Sequence, residues 1–156
     1  MTGFRRGVRV GVDVGKARVG VSQCDPDGML ATPVETVPRD EHSVSRVLAI
    51  VEELSAIEIV VGLPLNLRGE DTLSTADSRE FATALAAGEV PVRLIDERLT
   101  TVTAHSQLRS SGRKQRDTRG IVDQVAAVVL LQQAIDTEKR SGALPGIPVP
   151  RPQESV

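Results

Sequence analysis

The sequence predicts one α/β domain, built on a mixed five-stranded sheet with strand order 3-2-1-4-5 and with helices on its faces. Three observations support this class. Valine-rich runs joined by tight turns fill the first 38 residues, helical and strand-like periods alternate after them, and a chain of 156 residues fits a single domain. A meander followed by βαβ crossovers gives a sheet of this kind, with strand 1 at its centre.

The first three strands are predicted to form an antiparallel meander. Val8 to Val14 reads as a buried strand, and a short turn at Gly15-Lys16-Ala17 joins it to a second strand from Arg18 to Gln23. The turn residues Asp25-Pro26-Asp27-Gly28 precede a third short strand, from Thr32 to Pro38.

After residue 40 the pattern changes to alternating helices and strands. Residues 41–55 have helical spacing, with Asp40 as the expected N-cap. The later elements are predicted as a strand at Glu58–Gly62, a helix at 73–87, a strand at Val90–Ile95, a helix from Thr100 or Thr101 to about Arg109, a mobile loop at 110–119 and an apolar helix at Gly120–Glu138. Prolines cluster after Ser141, so residues 1–140 are expected to be the domain and 141–156 a disordered tail.

The composition narrows the classes of function. A hydrophobic share of 40% and a net charge of −2 are those of an ordinary globular protein without overall attraction for nucleic acid. The longest apolar run, Val125 to Leu131, is too short to span a bilayer, no N-terminal stretch resembles a signal peptide, and the lone Cys24 cannot form an internal disulfide. We therefore expect a cytoplasmic protein with no membrane partner, and Cys24 as a small buried hydrophobe.

Three carboxylates occupy positions where a negative charge is costly unless it is bound. Asp13 nearly ends a strand of valine and glycine, Glu97 follows a strand and precedes a helix, and Asp123 lies in the most apolar helix. Each has a simpler explanation when taken singly: a turn cap for Asp13, and a favourable helix dipole for Asp123 and for Glu97 with its neighbour Asp96. Taken together, three carboxylates from separate elements predict an oxygen-ligand site for Mg²⁺ or Mn²⁺.

A basic segment lies between two of these predicted ligands. From Glu97 to Gly120, six basic and two acidic side chains leave a net charge of +4. A flexible basic loop here would bind phosphates without reading sequence, although a merely solvated loop has the same composition. The candidate nucleic-acid-binding residues are Lys16 and Arg18 beside Asp13, together with Arg98, Arg113, Lys114, Arg116 and Arg119.

Four motifs, in this order along the chain, resemble the YqgF/RuvX-type family, which has an RNase H-like fold. The resemblance covers roughly residues 7–138. The motifs are Gly11-Val12-Asp13-Val14-Gly15-Lys16-Ala17-Arg18-Val19-Gly20-Val21-Ser22; Val60-Val61-Gly62-Leu63-Pro64-Leu65-Asn66 with Gly69; Asp96-Glu97-Arg98-Leu99-Thr100-Thr101; and Asp123-Gln124-Val125-Ala126-Ala127 with Leu130, Leu131 and Gln132. The family's acidic positions fall on Asp13, Glu97 and Asp123.

The resemblance implies a nuclease with one of two roles. One is maturation of the 5′ end of 16S rRNA, and the other is resolution of Holliday junctions, which are four-way DNA junctions. We favour rRNA processing, mainly from the family resemblance. In addition, two coordinated cuts in a junction usually need a symmetric dimer, and no dimer stripe is evident in the sequence. A homodimer and the DNA substrate stay open at this point.

The expected mechanism is phosphodiester hydrolysis. One metal would activate water, a second about 4 Å away would stabilise the leaving 3′-oxygen, and Asp13 is the best candidate to bridge them. Lys16, Arg18 or Arg98 would neutralise charge on the scissile phosphate. RNase H-like enzymes often have a carboxylate at the end of strand 4, but residues 62–66 contain none here. Glu97 would have to substitute from the neighbouring strand, which leaves the number of metals open.

Two rival classes share some of these features. A valine strand, Asp-x-Gly and a second valine strand also resemble the phosphate loop of actin-like ATPases, which need two such domains, whereas this chain has room for one. A non-catalytic RNA-binding module on the same fold is the second rival, and the presence of all three carboxylates argues against it.

Overall fold

The computed structural model describes residues 4–97 and 115–151, and for residues 115–123 only the backbone. The described elements form a mixed sheet with helices packed on it. In chain order they are β1 (Arg9–Val14), β2 (Arg18–Cys24), β3 (Ala31–Pro38), α1 (Ser43–Glu53), β4 (Glu58–Leu63), α2 (Leu73–Ala86), β5 (Val92–Asp96), α3 (Gln115–Ser141) and β6 (Ile147–Pro148). Within these ranges no helix has both the length and the apolar character needed to cross a membrane.

The sheet has the strand order β3-β2-β1-β4-β5-β6. β2 pairs antiparallel with both β1 and β3, and a bulge at Val21/Ser22 interrupts its register with β3. β1, β4 and β5 are parallel to one another, so their carboxyl ends lie at the same edge of the sheet. The predicted fold class and the order 3-2-1-4-5 are thereby confirmed, and the structure adds a sixth strand.

That sixth strand comes from the proline-rich segment that we expected to be a disordered tail. β6 pairs antiparallel with β5, the Val149 N–H donates to the Val92 carbonyl at 2.9 Å, and the Arg93 guanidinium donates to the Pro145 carbonyl. Pro148 is tolerated because β6 is a two-residue edge strand, where a missing N–H costs no ladder bond. The domain boundary at residue 140 itself stays a prediction.

Two helix starts differ from the expected ones. α1 begins at Ser43 with His42 as N-cap, and Asp40 does not cap it: its carboxylate accepts from the His42 N–H at 2.8 Å, ahead of the helix. α3 begins at Gln115, so the second half of the loop predicted over 110–119 is helical, and Gly120 lies inside the helix at a modest cost in propensity. The helix predicted to end near Arg109 lies outside the described residues.

The sheet separates two apolar clusters, and alternate residues of each strand face opposite sides. α1 and α2 cover the face that contains Val61 and its neighbours, whereas Val60 and Ile95 face α3 and pack with Leu130 and others of that helix. Cys24 is buried on the α3 side, as expected for a small hydrophobe.

An ionic cluster fixes the C-terminal part of α3 to the start of the sheet. The Glu138 carboxylate accepts from the Arg9 guanidinium at 2.9 Å and from the Arg5 guanidinium at 2.7 Å, and Arg5 also reaches Glu58 at 3.1 Å. Arg9, Glu58 and Glu138 are each no more than 2% exposed. This cluster lies at the opposite end of β1 from Asp13, so it holds the helix without touching the candidate site.

Candidate active site

Two of the three predicted carboxylates meet at the edge where the parallel strands end. Asp13 is the next-to-last residue of β1, and Glu97 directly follows β5. The Glu97 N–H donates to the Leu63 carbonyl at 3.1 Å, which extends the β4–β5 pairing by one residue and fixes the start of its side chain. The side chains of Asp13 and Glu97 are hydrogen-bonded to each other. Glu97 is 8% exposed and Asp13 is partly buried.

The electrostatics of this pair are unfavourable for two bare carboxylates. Burial raises the pKa of Asp13 well above its usual range, and the adjacent Glu97 raises it further through charge repulsion and the shared hydrogen bond. Two carboxylates in contact are stable when they share a proton or bind a cation.

α3 is held close against the strands that carry Asp13. The Ser22 hydroxyl of β2 donates to the Ala127 carbonyl at 2.8 Å, and a Cβ added at Gly11 would lie 2.9 Å from that same carbonyl oxygen. Glycine at position 11 is what allows this approach. Since Ala127 lies over Gly11 and Glu138 over Arg9, α3 runs antiparallel to β1, and its N-terminal part lies towards the Asp13 end.

Two glutamines attach the same helix to the edge strand β3. The Gln124 amide donates to the Thr36 hydroxyl at 2.6 Å, and the Gln132 side-chain oxygen accepts from the Ala31 N–H at 2.8 Å. The sequence motif included both glutamines without revealing this role. Their spacing of eight residues on one helix, opposite a predicted strand, was the available signal, because residues so spaced lie on one face.

Asp123, the third predicted ligand, lies in α3 one turn before Ala127. Its side chain is outside the part of the chain that the structure describes. Among the side chains that are described, no group of three or more His, Cys, Asp or Glu is close enough together to hold a metal ion. The structure therefore brings together Asp13 and Glu97, and the membership of Asp123 stays a prediction.

The turn that follows Asp13 is held in place by a side chain from another part of the chain, Arg39. Arg39 donates to the Gly15 carbonyl at 2.8 Å while it forms a two-bond ion pair with Asp77 of α2, with both bonds at 2.8 Å. Lys16 at the tip of this turn is exposed, and Arg18 is partly buried and has an interaction of its own. Arg39 was not predicted from the sequence, because it is distant from the turn along the chain.

The structure does not describe the side chains of the remaining predicted basic residues. Arg98, Arg113 and Lys114 lie outside the described residues. Arg116 and Arg119 belong to the first turns of α3, where only the backbone is described. Their proximity to Asp13 and Glu97 stays a prediction.

The loop after β4 is held by its own hydrogen bonds and by a bond from α2. The Asn66 side-chain oxygen accepts from the backbone N–H groups of Arg68 and Glu70, both at 2.9 Å. The Thr75 hydroxyl of α2 donates to the Pro64 carbonyl. Asn66 thus organises the loop that directly follows β4.

Comparison with known proteins identifies relatives of this chain. A family model described as "RuvX: Holliday junction resolvase" matches residues 7–137. A protein of Clavibacter michiganensis subsp. michiganensis named "Putative pre-16S rRNA nuclease" is 54% identical over 152 residues, which cover 95% of this chain and 94% of the relative. A protein of the same name from Streptomyces avermitilis is 54% identical over 148 residues, covering 92% and 95% of the two chains.

Among solved structures, the fold is similar to that of RuvC from T. thermophilus. The structure titled as that protein in complex with a Holliday junction substrate has a TM-score of 0.58 at 16% identity, covering 90% of this chain and 98% of the other. This likeness supports the RNase H-like fold and no more. The family model matches this chain over most of the chain's length, and the two relatives are more than half identical to it. The chain therefore belongs to the RuvX family of nucleases.

Proposed function

We propose that the protein is a metal-dependent endonuclease that hydrolyses phosphodiester bonds in structured nucleic acid. The observation that carries this proposal is the contact between Asp13 and Glu97 at the edge where the parallel strands end. Ligand sites of open α/β sheets are found at this edge. Membership of the family supports phosphodiester hydrolysis as the class of reaction, and the Asp13–Glu97 pair is the proposed site of that reaction.

The residues present fit a hard divalent cation. Carboxylate oxygens are the ligands that Mg²⁺ and Mn²⁺ prefer, and a cation at the pair would replace the proton that the raised pKa of Asp13 retains there. When bound, such a cation would supply an activated water and stabilise charge on the leaving oxygen. Asp13 and Glu97 would hold it, and their burial would limit competition from bulk water.

Asp123 is proposed as the third ligand, and the course of the α3 backbone supports this proposal. The helix runs antiparallel to β1, and Asp123 lies four residues, or about 6 Å of helix, before the Ala127 contact with Gly11. Asp13 lies two residues, or about 6.6 Å of strand, beyond Gly11 in the same direction. The backbone positions are thus at similar heights along the sheet.

The basic residues are proposed to bind the substrate backbone. Lys16 is exposed on the turn that follows Asp13, where it would meet a phosphate next to the scissile one. Arg18 and the basic residues of the 98–119 segment (Arg98, Arg113, Lys114, Arg116 and Arg119) are proposed to bind further phosphates. Such contacts give affinity that falls with salt and carries little sequence preference.

Two substrates are favoured by specific observations. The names of the relatives favour precursor 16S rRNA as the substrate. We propose this role first, with the cut near the 5′ end as the family resemblance implies. The description of the family model favours a four-way DNA junction, for which the active unit would be a homodimer. Either substrate is consistent with the cytoplasmic location proposed from the sequence.

The proposal is tested with Asp13→Asn, which keeps the side-chain shape and removes the charge. The protein, with Mg²⁺, Mn²⁺ or EDTA, is incubated with a precursor 16S RNA fragment and separately with a four-way DNA junction. Wild type is expected to cut one of the two only with metal, and the variant is expected to bind both as wild type does but cut neither. Asp27→Asn, at a surface carboxylate that is 63% exposed, is the matched control and should cut normally.

Three outcomes would contradict the proposal. Normal cleavage by Asp13→Asn would remove the pair from the mechanism. Cleavage in EDTA would remove the metal. Binding of both nucleic acids by wild type, without cleavage of either and without stabilisation by Mn²⁺, would support a non-catalytic binding module instead.

A further inference from the structure

Glu97 has to cross a strand to reach Asp13. The parallel strands lie in the order β1-β4-β5, so β4 separates Asp13 in β1 from Glu97, which directly follows β5. Neighbouring strands are about 4.8 Å apart, and the two backbones are therefore roughly 10 Å apart across the sheet. The two side chains are nevertheless hydrogen-bonded to each other, so at least one of them must lie over β4.

The crossing takes place at Gly62 of β4. Val12 of β1 pairs with Val61 of β4, so the residues that follow them, Asp13 and Gly62, are side by side. On the other side of β4, Gly62 pairs with Ile95, which lies two residues before Glu97. A Cβ added at Gly62 would lie 2.7 Å from Cγ, Cδ and Oε2 of Glu97. Real Cβ atoms essentially never have contacts this short. The Glu97 side chain thus fills the space that any side chain at position 62 would need.

The backbone gives no other reason for a glycine at this position. Gly62 lies within the regular strand β4 and is not among the residues with positive φ. Glycine inside a strand costs conformational entropy and contributes no packing. An alanine would be the better strand residue at this point if Glu97 were not there.

We propose that Gly62 is a positioning residue that lets Glu97 lie flat across β4 and meet Asp13. The absence of a side chain at this position is what allows an acid just after β5 to serve in place of one at the end of β4. The steric part of this inference stands on the geometry, whereas its consequence for cleavage rests on the proposed metal-dependent function.

Gly62→Ala tests the inference without dismantling the fold. The atoms that the new methyl group would meet are the end of a flexible side chain, so Glu97 is expected to turn away while β4 keeps its pairing. Mn²⁺ affinity, measured by calorimetry without nucleic acid, is expected to fall at least about tenfold, the usual loss when the support of a metal ligand is removed. The cleavage rate at saturating substrate should fall by a similar factor with KM nearly unchanged.

The matched control is Gly88→Ala, at the end of α2. There the same methyl group would lie 2.9 Å from Cδ2 of Leu48, which is again the end of a flexible side chain, but on the face away from the acidic pair. Crowding at this position should leave Mn²⁺ affinity and cleavage within twofold of wild type. If Gly88→Ala lost as much Mn²⁺ affinity as Gly62→Ala, general crowding would explain both losses and the inference would be overturned.

A double-mutant cycle in metal-free protein separates this inference from the nuclease proposal. Gly62→Ala is made in wild type and in Glu97→Ala, and the unfolding equilibrium is measured in urea. In wild type, Gly62→Ala should raise the equilibrium constant of unfolding at least about tenfold more than it does in the Glu97→Ala background. The reason is that the new methyl group meets the Glu97 side chain only when that side chain is present. A coupling below twofold together with unchanged Mn²⁺ affinity would overturn the inference even if the wild type is an active nuclease. A full coupling in a protein that cuts nothing would support it while the nuclease proposal fails.

Discussion

Glu138 offers the sharpest test of what holds α3 on the sheet. Its carboxylate accepts from the backbone N–H of Arg5 at 2.9 Å, from the Arg5 side chain at 2.7 and 3.2 Å, and from Arg9 at 2.9 Å. Glu138→Gln keeps the shape but removes the charge and turns one acceptor into a donor. Arg9, which is 2% exposed, would then be a buried cation without its counter-ion.

The expected loss is about 3 kcal/mol of unfolding free energy. Breaking a buried ion pair costs about 3–5 kcal/mol, and the lower end applies because the Arg9 guanidinium still donates to the carbonyls of Gly7 and Arg5, at 2.8 and 2.6 Å. For a chain of this size that corresponds to a fall in Tm of about 6–12 °C. Urea and thermal unfolding followed by circular dichroism measure both quantities.

The control is the surface pair between Arg6 and Asp27, whose side chains are 72% and 63% exposed. Asp27→Asn should cost at most about 0.5 kcal/mol, since exposed pairs contribute little. If Glu138→Gln cost no more than this control, the view that the buried cluster anchors α3 would be refuted.

The same variant has a defined pH dependence. Burial by itself would raise the pKa of Glu138, but the hydrogen bonds from Arg5 and the charge of Arg9 outweigh it and hold the pKa below its ordinary value. The stabilisation is therefore fully present above the pKa of the unfolded chain and is lost as the pH falls through the lowered one. The stability gap between wild type and Glu138→Gln should narrow on acidification below about pH 4.5.

Three further predictions concern the site and its supports. The raised pKa of Asp13 means that the folded state binds its proton more tightly than the unfolded state, so metal-free stability should decline as the pH rises from about 3.8 through the raised pKa. Urea titrations should show this decline in wild type and a weaker one in Asp13→Asn. Ser22→Ala removes the bond to the Ala127 carbonyl and should cost about 1 kcal/mol in urea unfolding; an unchanged midpoint would contradict this. Thr72→Ala breaks the capping box with Thr75 and should also cost about 1 kcal/mol, with the midpoint of thermal unfolding lowered accordingly.

The fold was largely predictable because its signals are local. Valine runs and tight turns specify the meander, and the change to a helical period after residue 40 specifies the crossovers. The strand order follows from short connections and right-handed crossovers. β6 was missed because its pairing depends on bonds such as that from Val149 to Val92, which are distant along the chain and leave no period in a two-residue strand.

The candidate site could be predicted from the sequence only as a set of residue types. Asp13 and Glu97 were found because a charge next to a buried strand is unusual, and strand order then brings them to one edge. Gly62 and Arg39 were not assigned their roles. Each acts through a contact with a residue more than twenty positions away, and a glycine that makes room or an arginine that fixes a turn looks like any other until those contacts are known.

The contacts that hold α3 on the sheet matter for the candidate site, because a small tilt of a helix around one end displaces its other end. From Asp123 to Glu138 the helix extends about 22 Å, so a rotation of about 3° around one end would move the other end by roughly 1 Å. A displacement of this size at a reacting group can cost about a hundredfold in rate. Bonds at Gln124, Ala127, Gln132 and Glu138 attach the helix to three different strands and to the N-terminal segment. With attachments along its length the tilt of α3 is over-determined, so Asp123, the proposed third ligand, belongs to a helix whose position on the sheet is fixed.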